Sequence, residues 1–508
     1  MKPHQIGSVL LLMAAQACNF PITTLPSGQS IALDLGDEAP IAAEADKEGV
    51  SQAPQARAPG AEVIEPTPDA PHAQPTLRAE TSQYVVQFGD TLGLIAEDFG
   101  VTVEQLVTAN QLANANQLEV GQVLTVPPTS GGDQTVYFKI LPDSELVNGP
   151  FTISFDIAEF AKSQGGYLTV YQEQIGETFY SGPAIVQRVA TEYSVNPRVL
   201  LALLELQSGW VRDSNPRTNT LQFPIGFADS RRAGLYRQLA WAADRLNDGY
   251  YRWKAGTAAG WLITDGEFVT ANSGINAGTA GVQNVLASLY NANQWRNGVS
   301  ATGFFTLYWD LFGYPFDLAQ EPLLPSDLSQ PRMQLPFENG VPWVYSGGPH
   351  SGWGSGSAWA ALDFVARGEQ IGCYTSGEWA VAVADGLIVR SDKGAVVQDL
   401  DGDGYEQTGW TVLYMHMAEY ERVQVGDYVQ AGERIGHPSC EGGVSSASHL
   451  HLARRYNGEW IPAFGELSFV MDGWISESSG SLYDGRMQKD GLSVEACECR
   501  APENMLQR

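Results

Sequence analysis

Five of the chain's seven histidines lie between His350 and His451, while His4 and His72 stand far upstream. One histidine in a β-rich stretch is ordinarily a core or surface residue. Five together, in patterned contexts, point to a shared task. In His449-Leu450-His451 the two imidazoles are two residues apart, and on a strand such residues project from the same face. His416 ends Tyr414-Met415-His416 on another candidate strand. Asp363 follows the apolar run Trp359-Ala-Ala-Leu362, after a glycine-rich loop that begins at His350. A catalytic zinc site needs three N or O protein ligands and one open position for water, and this stretch supplies them. Zinc so held lowers the pKa of its water to about 7 and polarises a carbonyl, which is hydrolytic chemistry. No His-Glu-x-x-His helix offers a glutamate base. His437, in a Gly-His-Pro turn, reads as structural or accessory.

Such residues need a rigid sheet to bring them together. From about Pro331 the chain turns to short β-type runs separated by glycine turns, as in residues 379–389 and 409–417, which predicts an antiparallel β domain over residues 331–465. The order of pieces is distinctive: His350 with Asp363, Ala384-Asp385-Gly386, Tyr414-Met415-His416, Val425-Gly426-x-x-Val429-x-x-Gly432-x-x-Ile435-Gly436 and His449-Leu450-His451. It resembles the lysostaphin-like zinc endopeptidases that cut peptidoglycan cross-bridges. The resemblance implies that His350, Asp363 and His451 bind one zinc ion. It implies that His416 and His449 are the catalytic pair on its open side, positioning water, relaying its proton and stabilising the oxyanion. One departure stands out. The family places three residues between the first His and the Asp, whereas twelve intervene here, SGWGSGSAWAAL. Asp399-x-Asp401-x-Asp403-Gly404 opens like a calcium loop, but its twelfth position is Trp410 instead of a bidentate Glu. It reads as an acidic hairpin turn, with weak calcium binding at Asp399, Asp401 and Asp403 as the minor alternative.

Upstream, residues 84–127 begin and end with short β-type runs around two helix-like segments, Leu92, Ile95, Phe99 and Val103, Leu106, Val107 falling at helical spacing. Gly89-Asp90-Thr91-Leu92, Ile95-Ala96, Asn110 and Leu118-x-x-Gly121-x-x-Leu124 make residues 83–128 resemble a LysM domain. The resemblance implies a βααβ module that binds N-acetylglucosamine-containing glycans such as peptidoglycan.

Residues 136–320 are mainly helical by periodicity, with Asn196-Pro197 a clear helix start. The helix that follows resembles, loosely, one in the lysozyme-like lytic transglycosylases that ends in Glu-Ser-Gly. Here the triplet is Gln207-Ser208-Gly209. An amide cannot protonate a glycosidic oxygen, and Glu205, two residues earlier, is rotated by about 200°. A non-catalytic glycan-binding or spacing domain is therefore expected.

The composition fits this division. The 508 residues exceed one hydrophobic core, and Gly 54 and Pro 28 favour turns. A net charge of −29 disfavours nucleic acid and anionic lipid. Residues 1–18 have the layout of a bacterial export signal, with Cys18 a candidate lipidation site and so the one route to a membrane. Residues 19–82, rich in Ala, Pro and acidic residues, read as a disordered tether. Four later cysteines suit an oxidising compartment, and a Cys373–Cys440 bridge is favoured because both flank the histidine cluster. Residues 466–508 read as a β-like extension without an assigned role. The expectation is thus a multidomain α+β protein of the cell envelope: a small βααβ LysM domain, a mainly helical middle domain and an antiparallel β-sheet metallopeptidase domain. Its activity would be zinc-dependent peptidoglycan hydrolysis at peptide bonds. A non-catalytic wall-binding scaffold, or an activator of another wall hydrolase, is the competing reading, which the complete ligand set disfavours.

Overall fold

The computed structural model describes residues 69–87, 90–129, 137–367, 371–499 and 501–508. The export signal, Cys18, Gly89 and most of the expected tether lie outside the described residues. No helix among the described residues is long and apolar enough to cross a membrane.

The first module is a βααβ unit: β1 (Ser82–Val85), α1 (Leu92–Asp98), α2 (Val103–Asn110) and β2 (Val123–Val126), with β1 and β2 antiparallel. Leu92, Ile95, Leu106, Leu124 and Val126 form its core. Thr102 and Gln105 make a reciprocal capping box at the start of α2. Asn110 ties α2 to β2, exchanging hydrogen bonds with both backbone groups of Thr125.

The helical region contains α3 (Ile157–Gln164), the hairpin β3 (Gln172–Ile175) and β4 (Thr178–Ser181), α4 (Gly182–Tyr193), α5 (Pro197–Ser208), α6 (Leu235–Lys254), the hairpin β5 (Gly260–Leu262) and β6 (Phe268–Thr270), α7 (Ala277–Ala287), α8 (Ala292–Gly298) and α9 (Phe304–Phe312). Asn196 caps α5 through the Arg198 N–H, with Pro197 as its first residue. Helices α6 and α7 meet at glycine: a Cβ on Gly249 would lie 2.6 Å from the Ala280 carbonyl oxygen.

The third region is a nine-stranded antiparallel sheet. Its strands are β7 (Trp343–His350), β8 (Ala361–Ala366), β10 (Gly386–Asp392), β11 (Ala395–Asp399), β12 (Trp410–Met415), β13 (Tyr428–Val429), β15 (Leu450–Tyr456), β16 (Glu459–Trp460) and β21 (Met505–Leu506). The spatial order is β13-β10-β11-β12-β15-β8-β7-β21, with β16 paired to β15. Strands β9 (Ala380–Val381) and β14 (Arg434–Gly436) form a separate ribbon. Alternation gives the large sheet two buried faces. Leu362, Phe364, Val412, Tyr414, Leu450 and Leu452 belong to one core, while Ala361, Leu413, Met415 and Ala453 join the cluster built by the helices. The helical region thus covers one face of this sheet. Beyond residue 466 the chain forms its own four-stranded sheet, β17 (Val470–Met471), β18 (Trp474–Ser478), β19 (Gly485–Lys489) and β20 (Leu492–Glu495), and then adds β21 to the edge of the large one.

Candidate metal centre

Two central strands set the site by register. His451 on β15 lies directly opposite Asp363 on β8, and Met415, just before His416, lies opposite His451 on the other side. His350 ends β7 after two register shifts that bring it beside them. His350 Nε2 and His451 Nδ1 are 3.0 Å apart. They stand 3.3 and 3.2 Å from the same Asp363 oxygen, Oδ1. His449, immediately before β15, places Nε2 3.6 Å from that oxygen. His416 packs on His449 with ring centroids 4.5 Å apart.

Every imidazole in the group has its other nitrogen at a backbone carbonyl: His350 Nδ1 at Gly348 (2.8 Å), His451 Nε2 at Gly352 (3.1 Å), His449 Nδ1 at Ala447 (2.8 Å) and His416 Nδ1 at Glu441 (3.1 Å). A carbonyl oxygen only accepts, so in each neutral ring the proton sits on that outer nitrogen and a lone pair faces inward. Asp363 Oδ1 is accordingly buried without a hydrogen-bond donor despite its three nitrogen neighbours. A cation resolves such a convergence of lone pairs. The donors His350, Asp363 and His451 have the N2O composition of a catalytic zinc site, and their ligand atoms fall within 4.8 Å of one another.

These side chains are also electrostatically coupled. Burial opposes a charge on His350, but the adjacent Asp363 carboxylate outweighs it and lifts the ring's pKa above the ordinary histidine value. Burial would raise Asp363, yet His350 and His449 hold it well below the usual carboxylate range. Burial, reinforced by His449 and His451, drives His416 down to about 3. Its backbone also adopts a left-handed conformation (φ 64°), rare for a non-glycine residue and common at functional positions. Ser439 holds that turn by donating both its N–H and its hydroxyl to the His416 carbonyl, at 2.6 and 2.9 Å.

The long spacer between His350 and Asp363 has a clear place: it lies against α6. Asp244 accepts hydrogen bonds from the Ser355 and Gly356 backbone, both at 2.8 Å, and Tyr193 meets Trp353 edge-on. A Cβ on Gly356 would lie 2.0 Å from the Asp244 carbonyl oxygen, so the loop's small residues are what permit the approach.

His437 stands apart from the cluster, packed against Trp379 at 3.8 Å and bonded to the Glu378 carbonyl. Cys373 pairs with Cys440, and Cys497 with Cys499. Asp399, Asp401 and Asp403 gather their carboxylates, but these accept N–H groups of their own turn, from Asp401, Asp403, Gly404 and Tyr405, and nothing supports calcium there. In the helical region Gln207 donates to the Tyr290 hydroxyl, and Glu205 accepts the Val211 and Arg212 N–H groups. Tyr483, from the C-terminal extension, had no sequence signal. It stacks on His350 with ring centroids 4.3 Å apart, and its carbonyl accepts the Gly348 N–H.

Three family models match parts of the chain. Residues 84–127 match the LysM domain, residues 139–324 the LasA N-terminal domain and residues 364–462 Peptidase family M23. The chain carries LysM and M23 domains. The M23 match includes His416, His449 and His451 and begins just after Asp363. Protease LasA of Pseudomonas aeruginosa is 27% identical over 292 residues, covering 53% of this chain and 65% of the relative. The chain thus spans just under two thirds of that relative's length. The beta-lytic metalloendopeptidase of Achromobacter lyticus is 28% identical over 160 residues, covering 30% of this chain and 40% of the relative. Among solved structures, the M23 metalloprotease pseudoalterin from the deep sea aligns at 26% identity and TM-score 0.29, covering 35% of this chain and 100% of its own. The catalytic domain of lysostaphin from Staphylococcus simulans aligns at 29% identity and TM-score 0.18, covering 24% and 87%.

Proposed function

We propose that this chain, with its LysM and M23 domains, is a zinc-dependent endopeptidase that hydrolyses peptide bonds in peptidoglycan at the cell wall. The observation that carries the reading is the convergence of three backbone-anchored imidazoles, His350, His449 and His451, on the buried Asp363 oxygen, with His416 packed on His449. In it, His350 Nε2, Asp363 Oδ1 and His451 Nδ1 hold the metal, and the LysM domain holds the glycan.

Zinc at such a site supplies Lewis-acid activation of water and of the scissile carbonyl. The protein's part is proton management. His449 and His416 pack together beside the ligands with their Nδ1 atoms at backbone carbonyls, which leaves the other ring nitrogen of each to exchange a proton with the attacking water. The imidazolium so formed can donate to the developing oxyanion and then return its proton to the leaving amine. Their Nδ1–H bonds to Ala447 and Glu441 fix ring orientation throughout.

The test is zinc analysis of the purified chain combined with digestion of isolated peptidoglycan, products being identified by mass. Stoichiometric zinc and new amine termini are expected. Bound metal without new termini would instead favour a wall-binding scaffold.

A further inference from the structure

The ring of His451 is held by Gly352, and Gly352 belongs to a loop that the helical region grips. We propose that Asp244, on α6, is a positioning residue for the metal centre, acting on His451 through the Gly352 carbonyl. The proposal rests on the metal-binding reading above.

Asp244 uses three hydrogen bonds on this loop. Oδ1 accepts the Ser355 and Gly356 N–H groups, each at 2.8 Å, and Oδ2 accepts the Ser355 hydroxyl at 2.5 Å. The loop is also cross-braced, so that fixing residues 355–356 fixes its first residues. The Ser351 hydroxyl donates to the Ser355 carbonyl (3.1 Å), the Trp353 N–H to the Ser357 hydroxyl (2.9 Å) and the Gly352 N–H to the Ala358 carbonyl (3.1 Å). Gly352 is pressed on its other side against the Trp460 ring, 2.6 Å from where a Cβ would stand. Its carbonyl is thereby aimed at His451 Nε2, 3.1 Å away, which keeps the proton there and the lone pair of Nδ1 toward His350 and Asp363.

A plain fastening of two regions predicts something different: loss of stability without a specific effect on metal. Ser194 provides the comparison, since its hydroxyl bonds the Gly458 carbonyl across the same interface but makes none of the hydrogen bonds that hold residues 351–358. Zinc affinity of the full chain would be measured by competition with a chromophoric chelator, alongside urea unfolding of the zinc-free form. Asp244→Ala is expected to weaken zinc about tenfold, the lower end of effects seen for groups that orient ligands. Asp244→Asn keeps an oxygen for both N–H groups and is expected to retain wild-type affinity. Ser194→Ala is expected to lower stability and leave zinc binding unchanged. Wild-type affinity in Asp244→Ala, or an equal loss in Ser194→Ala, overturns the proposal. Should Asp244→Ala not fold, Ser355→Ala removes one of the three bonds and should give a smaller loss, and wild-type affinity there is equally fatal. His451→Ala separates the two readings. If it binds zinc as wild type does, the metal assignment fails and this proposal with it. If it loses zinc while Asp244→Ala does not, only the positioning role fails.

Discussion

His350 Nε2 and His451 Nδ1 face each other at 3.0 Å, each ring with its other nitrogen at a backbone carbonyl on the far side. These two nitrogens and the Asp363 carboxylate oxygen form a compact donor set for a cation. The metal-free protein should therefore be the less stable form. Calorimetry with zinc and with a chelator should show a higher midpoint with zinc, corresponding to about 2.7 kcal/mol at a free zinc concentration one hundred times Kd. Asp363→Ala should lose most of that gain.

The open side of the site should respond differently. His449→Ala and His416→Ala remove rings that stand beside the ligands without belonging to the His350, Asp363, His451 group. Each is expected to retain zinc while peptidoglycan cleavage falls by about two to four orders of magnitude, the usual scale of general acid–base catalysis. Product release measured against zinc content, on the same protein samples, distinguishes this from ligand loss. Zinc loss in either variant would move that ring into the ligand set.

Acid stability should depend on a group remote from the metal. Glu406 bonds Arg390 at 3.0 Å and also pairs with the buried Arg455. Burial alone would raise its pKa, but the two guanidinium groups outweigh this and hold it below the ordinary glutamate value. The folded state thus binds this proton less readily than the unfolded chain. Its contribution is present above the unfolded value of about 4.3 and is lost as pH falls through the lower folded one. Glu406→Gln, which leaves Arg455 with less compensation, should cost about 3 kcal/mol near neutrality. That difference from wild type should shrink below pH 4, and urea titrations at stepped pH will show whether it does.

Much of the site could be read from local pattern. The two-residue period of a strand puts His449 and His451 on one side, and the glycine turns mark where β-type runs end. What stayed hidden is whatever one part of the chain does to another. The Asp363–His451 register needs β8 and β15 paired, and these strands are far apart in sequence. Tyr483 reaches His350 from an extension expected only to be β-like, which in fact builds a second sheet. Asp244 looks like any exposed charge of an amphipathic helix until the glycine-rich loop is seen lying on it. The same loop, as sequence, was merely a spacer of unusual length.

That spacer gives the sharpest structural test. Gly356 sits where an added Cβ would be 2.0 Å from the Asp244 carbonyl oxygen and 2.8 Å from the Asp248 backbone nitrogen, both parts of helix backbone that cannot swing aside as a side chain could. Gly356→Ala must therefore lift the loop from α6 or displace the helix, at about 1–3 kcal/mol by the usual cost of overpacking. Gly402, by contrast, has no atom within 4 Å of its would-be Cβ. Its substitution by Ala carries only the strain of a positive φ (76°), which typically costs about 1–2 kcal/mol. The two variants are thus comparable in stability but differ in place. Gly356→Ala should expose the loop to proteolysis within residues 351–360, whereas Gly402→Ala should not. Limited digestion with cleavage sites read by mass spectrometry makes the comparison, and identical cleavage maps would mean that the loop's contact with α6 is not what holds it.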